Sequence, residues 1–226
     1  MKAPVSAPQL YLITPAIAEP AAFAPSLAAA CEGREVAAVL LRLAPADERA
    51  LVNRIKTLAP IAQERGAAVV VAVEGQADLP TVAARGGADG VHVGRPTDLR
   101  GLRERLKGDR ILGVGGLRSK HDAMEAGEAG VDYLLFGEPG PDGALPSLEK
   151  VIERAGWWAE IFQTPCVAYA PALDAIPRLA ATRAEFVALG EAVWSHPDGP
   201  GAAVAAASAL QAASALQPAP ELTDAP

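Results

Sequence analysis

The chain has 226 residues, half of them hydrophobic, with 20 Lys and Arg against 27 Asp and Glu for a net charge of −7. That length and apolar fraction exclude a wholly disordered chain and suffice for a buried core. The acidic balance argues against nucleic-acid and anionic-membrane binding, which call for a basic surface. Aromatic residues are only 4% of the chain, so Ala, Val, Leu and Ile must build the core. Cys31 and Cys166 stand far apart without CxxC spacing, as buried reduced thiols of a cytoplasmic protein would. Pro4, Pro8 and Pro15 interrupt any signal-like apolar run, and no apolar stretch approaches the ~20 residues of a membrane helix.

In chain order, residues 1–8 read as a flexible lead. Eight short apolar runs follow at Leu10–Thr14, Val36–Leu43, Ala68–Val73, Gly90–Val93, Ile111–Val114, Tyr133–Phe136, Cys166–Ala170 and Phe186–Leu189. Continuous Val/Leu/Ile runs are the pattern of parallel strands covered on both faces. Segments of helical spacing separate them. Leu51, Ile55, Leu58 and Ala62 share one stripe, with Pro60 as a candidate kink. Ser119 with Asp122 resembles a capping box. Further helices are predicted near Leu148–Phe162, Leu173–Ala180 and Ala202–Leu216, and residues 217–226 read as a flexible Pro/Ala-rich tail. An acidic residue precedes the fourth, sixth and eighth runs (Asp89, Asp132, Glu185), an echo in every second unit. Eight alternating units predict a single (β/α)8 TIM barrel over 9–216, in preference to an open doubly wound sheet.

In such a barrel, chemistry lies where strands end. Arg42 is a lone charge in an apolar run, suited either to an anion or to an ion pair with a strand-end carboxylate. Glu74 and Asp98 are the candidate metal ligands at their strand ends, and Asp98 equally suits a helix N-cap. His92 alternates with outward-facing neighbours and should point inward, as a layer-filling residue or a substrate contact. Arg95 adds a cation to the fourth loop. Gly115 and Gly137 would allow a ligand close to backbone. Gly190, Glu191 and Ala192 form a possible phosphate nest at a helix start, although the Glu191 carboxylate would repel a phosphate. His121 and His196 read as exposed polar residues, and Trp157 and Trp158 as helix packing or a subunit contact.

The order of Leu10-Tyr11-Leu12-Ile13-Thr14, Gly87-Ala88-Asp89-Gly90-Val91-His92-Val93-Gly94, Ile111-Leu112-Gly113-Val114 and Glu185-Phe186-Val187-Ala188-Leu189-Gly190 resembles the thiamine-phosphate synthase and thiazole-tautomerase (TenI-like) family. The resemblance implies a (β/α)8 transferase of thiamine biosynthesis. That reaction joins a hydroxymethylpyrimidine diphosphate to a thiazole phosphate with Mg2+ and releases pyrophosphate. It also implies a small phosphorylated metabolite as partner, and allows a homo-oligomer. The departures are many. Leu40 and Ala44 replace the Gln and Lys flanking Arg42, and Val73-Glu74-Gly75 stands where an Asn-Asp pair is usual. Gly115 replaces a Ser, the sixth loop lacks Thr-Lys, Ala170-Pro171-Ala172 replaces a Gly-Gly phosphate binder, and Leu117 replaces the tautomerase His. These losses predict an eroded diphosphate and magnesium site, unless Arg42, Arg95 and Arg118 or Lys120 compensate. The alternatives are a non-catalytic or regulatory phosphate-ester binder and a barrel of changed chemistry using carboxylates such as Glu74 and Glu138.

Overall fold

The computed structural model describes residues 7–33, 35–75, 77–95, 98–140 and 143–215. The expected flexible tail lies outside these residues, as do Met1–Ser6 of the expected flexible lead and parts of the fourth and sixth loops. Strands β1 (Gln9–Ile13), β2 (Val36–Leu43), β3 (Ala68–Val73), β4 (Gly90–Val93), β5 (Ile111–Val114), β6 (Tyr133–Phe136), β7 (Cys166–Ala170) and β8 (Phe186–Leu189) pair in sequence order. Every pair is parallel, and β8 returns to β1, closing the barrel.

The helices that cover the ring are α1 (Pro20–Ala30), α2 (Glu48–Gln63), α3 (Leu79–Gly86), α4 (Leu99–Arg105), α5 (Lys120–Glu128), α6 (Leu148–Ile161), α7 (Ile176–Ala180), α8 (Glu191–Trp194) and α9 (Pro200–Ala215). The predicted helix at Leu173–Ala180 divides into a 3-10 turn, Leu173–Ala175, and α7. Helix α8 was not anticipated as a separate element. Helix α2 continues through Pro60, because a proline in the last turn removes only one late hydrogen bond. Its Leu51, Ile55, Leu58 and Ala62 are all fully buried, and each of the three larger side chains contributes roughly 1.5–3 kcal/mol of burial. The capping box at Ser119 is present with both reciprocal bonds.

Strand alternation divides the apolar residues into two cores. Leu10, Leu12, Val39, Leu41, Val69, Val71 and Val91 pack outward under the helices. Tyr11, Ile13, Ala38, Leu40, Val70, Tyr133, Leu135, Val167, Tyr169 and Ala188 fill the ring. At the N-terminal rim the acidic echo has a structural meaning. Asp89 Oδ2 accepts the N–H of Val69 at 2.7 Å, and Asp132 Oδ2 that of Leu112 at 2.7 Å. Glu185 Oε2 accepts the N–H of Cys166 at 2.9 Å. Each carboxylate thus satisfies a backbone donor near the start of the preceding strand, which would otherwise be an orphan.

Candidate functional site

The strand C-termini form the mouth of the barrel, where this fold places its chemistry. Arg42 shares the inward phase of Ala38 and Leu40 on β2 and lies at the mouth end. Its N–H is held by Thr14 Oγ1 at 3.0 Å. Its guanidinium bonds Glu74 Oε1 at 3.1 Å, with the two side chains 35% and 69% exposed. The ion-pair alternative for Arg42 is therefore realised. A groove of about 360 Å3 beside it is lined by Val73, Glu74, Gly75 and Asp78, among others, and by neither Arg42 nor Arg95. Arg95 is exposed, and its loop continues into residues outside those described.

The inward-facing residues also form a buried polar chain across the ring. Tyr11 and Tyr133 hydroxyls lie 2.7 Å apart, and Tyr133 is 2.9 Å from His92 Nδ1. His92 is 2% exposed, as its strand phase predicts. On its other side His92 Nε2 is 3.4 Å from Glu138 Oε2. Burial, the largest influence, pushes both phenols well above their ordinary pKa, and the Glu138 charge adds to this. Both therefore remain neutral donors at physiological pH. Among the described residues, His92 Nε2 and Glu138 Oε1 are two of the four buried side-chain atoms without a hydrogen-bond partner.

The glycines expected to admit a ligand are filled by the protein's own atoms. A Cβ on Gly113 would lie 2.0 Å from Tyr133 Cζ, and one on Gly115 would lie 1.7 Å from Glu138 Oε1. At Gly137 it would lie 2.5 Å from Val151 Cγ2, and at Gly190 2.9 Å from the Tyr169 hydroxyl. Beside Gly190, the N–H of Glu191 hydrogen-bonds Tyr169, whose phenol is nevertheless pushed up by burial and by the Glu191 charge. One donor of the supposed phosphate nest is thus already engaged. Glu191 itself is exposed and takes the Ser195 hydroxyl, and Ala192 lies within the four-residue α8.

The two candidate metal ligands are likewise engaged. Asp98 Oδ1 accepts the N–H of Gly101 at 3.0 Å, as the N-cap of α4. Glu74 is held by Arg42. Among the described residues no three His, Cys, Asp or Glu gather as metal ligands, and this donor set does not fit a magnesium seat. Lys120, a candidate replacement cation, turns to the helix layer instead. Its Nζ lies 5.0 Å from the Trp157 ring centre and 3.4 Å from Glu153 Oε1. The backbone of Arg118 is tied to α5 and α6 through Asp122 and Arg154. Trp158 is buried and donates to Thr164 O, consistent with helix packing.

Sequence reasoning named Glu138 only as a possible catalytic carboxylate and did not single out Tyr11, Tyr133 or Tyr169. Their signal was strand phase. Tyr11 alternates with the outward Leu10 and Leu12, just as His92 alternates with Val91 and Val93. The closed strand order puts Arg42, Tyr169 and Glu191 on the β7–β8–β1–β2 side of the mouth. His92, Gly115 and Glu138 lie on the β4–β5–β6 side. The cation and the buried carboxylate therefore belong to opposite halves of the mouth.

Comparison with known proteins agrees with this architecture. A family model described as thiamine monophosphate synthase matches residues 10–193. A thiamine-phosphate synthase of Rhodospirillum centenum is 42% identical over 200 residues, covering 87% of this chain and 94% of the relative. One of Hyphomonas neptunium is 36% identical, covering 89% and 93%. The solved thiamine phosphate pyrophosphorylase of Pyrococcus furiosus superposes with a TM-score of 0.73 at 26% identity, over 91% of this chain and 96% of that one. No helix among the described residues is long and apolar enough to cross a membrane. The chain belongs to the thiamine monophosphate synthase family.

Proposed function

We propose that this barrel binds the substrates of the thiamine-phosphate synthase reaction but carries out the pyrophosphate-releasing transfer far more slowly than relatives with the full cation set. In that reaction the bond between the pyrimidine methylene carbon and the diphosphate oxygen breaks. The diphosphate leaves with the electron pair, and the thiazole nitrogen forms the new bond to carbon. Catalysis rests on holding the partners in line and on stabilising charge as it develops on the leaving group.

One observation carries the reading: Arg42, the cation kept from the family's strand-end motif, is bound to Glu74, with Leu40 and Ala44 in place of its Gln and Lys. To hold a diphosphate, Arg42 must give up that carboxylate. The exposed Arg95 supplies a second cation from the β4 loop. Asp98 and Glu74 are both engaged elsewhere, and no step is assigned to magnesium. Loss of one preorganised charge-stabilising group costs roughly 10²–10³ in rate, and the penalties of several losses need not add.

The test is growth of a thiamine-requiring cell whose own synthase has been deleted. Expressed at single copy, this gene is expected to leave the requirement in place. Growth equal to that given by an authentic synthase gene at the same expression would overturn the reading.

A further inference from the structure

We propose that the N-terminal end of the barrel is a binding site for one neutral, single-ring aromatic molecule, held in an apolar cavity among Tyr11, Ala38, Ala68, Ile111, Tyr133 and Phe186. The site lies at the end of the ring opposite the mouth, and the proposal stands apart from the synthase reading.

The cavity has a volume of about 180 Å3. Its place follows from its walls. Ala68, Ile111, Tyr133 and Phe186 are each the first residue of a strand, as is Gln9 at its edge. Its existence follows from side-chain size. A (β/α)8 interior is normally filled by bulky branched residues, but here the neighbouring strands β2 and β3 put Ala38 and Ala68 side by side in register. Two methyl groups stand where two branched side chains would close the ring. Tyr11, Ala38 and Tyr133 are buried, whereas Ala68, Ile111 and Phe186 are partly exposed and Gln9 is exposed, so the cavity opens to solvent on the N-terminal face.

The lining selects the ligand. Among the described residues no charged side chain lines the cavity, and an ion entering it would lose hydration without gaining a partner. The Tyr11 and Tyr133 hydroxyls are already engaged with each other at 2.7 Å, and Tyr133 also with His92 at 2.9 Å. What the walls offer is ring surface. Tyr11 meets Tyr133 at 57° and Phe186 at 76°, with ring centres 5.7 and 6.5 Å apart, so neither neighbour is stacked flat on it. A further ring placed here gains the tilted and edge contacts that aromatic pairs favour. An apolar cavity of about 150 Å3 accepts benzene and stays free of water, so a single ring with one small substituent fits. A polar substituent directed to the open edge meets the Gln9 amide.

The test is a ligand-observed NMR titration of the full chain with phenol, neutral at physiological pH, and with benzoate, the same ring carrying a charge. Phenol is expected to bind saturably with a Kd at or below about 1 mM. Benzoate is expected to bind at least about tenfold more weakly, because its charge finds no partner. Ala68→Leu, which grows a side chain into the cavity, should abolish phenol binding, and Ala68→Val should weaken it to an intermediate degree. Urea unfolding shows which variants are folded, and Ala68→Val, the milder filling, carries the test where Ala68→Leu unfolds the chain. Absence of saturable binding by the full chain, equal affinity for benzoate, or phenol affinity unchanged in the filled variants would each overturn the proposal. Binding that emerges only when residues 1–6 are deleted would assign the cavity to the start of the chain itself, and would overturn it as well.

Discussion

Tyr133 joins the polar groups of the barrel interior. Its hydroxyl serves Tyr11 and His92, and its ring lies over Gly113. Tyr133→Phe keeps the packing but leaves two buried polar atoms short of a partner. It should destabilise the fold by about 1–3 kcal/mol, read as a lower urea midpoint at unchanged slope. Burial raises the pKa of all three tyrosines of the chain, Tyr11, Tyr133 and Tyr169. Groups with a raised folded pKa contribute stability that is complete below the unfolded value, near 10, and is lost as pH rises past it toward the folded value. Phenolate absorbance is therefore expected to appear with unfolding and not as a separate earlier titration near pH 10. His92 was legible from strand phase alone. Its link to Glu138 was not, because the two are joined only when β4 and β6 come together in the closed ring.

Among elements, the strands were the most legible. Burial on both faces demands continuous apolar runs, and β2 through β8 begin and end where those runs do. Strand β1 starts one residue earlier, at Gln9, whose N–H bonds Glu185 O at 2.8 Å, a partner 176 residues away that no local pattern reveals. Helix α8 was anticipated only as a helix start at Gly190–Ala192, for a similar reason. It is a single turn, locked by Trp194 Nε1 donating to Ile13 O across the whole chain. The acidic echo was visible as a pattern, but its purpose required knowing which strand N–H each carboxylate meets. Asp132→Ala removes the partner of Leu112 N and of Arg103. It is expected to cost about 1–3 kcal/mol in chemical denaturation, with Asp132→Asn costing less because one carbonyl acceptor remains. At α5, Ser119→Ala should cost about 1 kcal/mol as a lost N-cap. Although burial opposes it, hydrogen bonds from the Arg118 and Ser119 N–H groups and the Ser119 side chain hold the Asp122 carboxyl below its usual range. The contribution of Asp122 is thus present above about pH 4 and lost as pH falls through its lowered folded value, and solvent screening keeps it small.

At the scale of the whole molecule, barrel and family were readable because motif order follows strand order. The condition of the mouth was only partly readable. Substitutions such as Ala44 for Lys are visible in the chain, but the pairing of Arg42 with Glu74 and the filling of Gly115 by Glu138 depend on the folded arrangement. Together they put an Arg42–Glu74 ion pair on one side of the mouth and the Glu138 carboxylate on the other. The most direct test is the steady-state kcat/KM for thiamine phosphate formation from both phosphorylated substrates with Mg2+, measured beside an authentic synthase. A value at least about 10²-fold lower, the loss of one preorganised charge-stabilising group, is the expected result. A value within about tenfold, or ~1.4 kcal/mol of barrier, would contradict it.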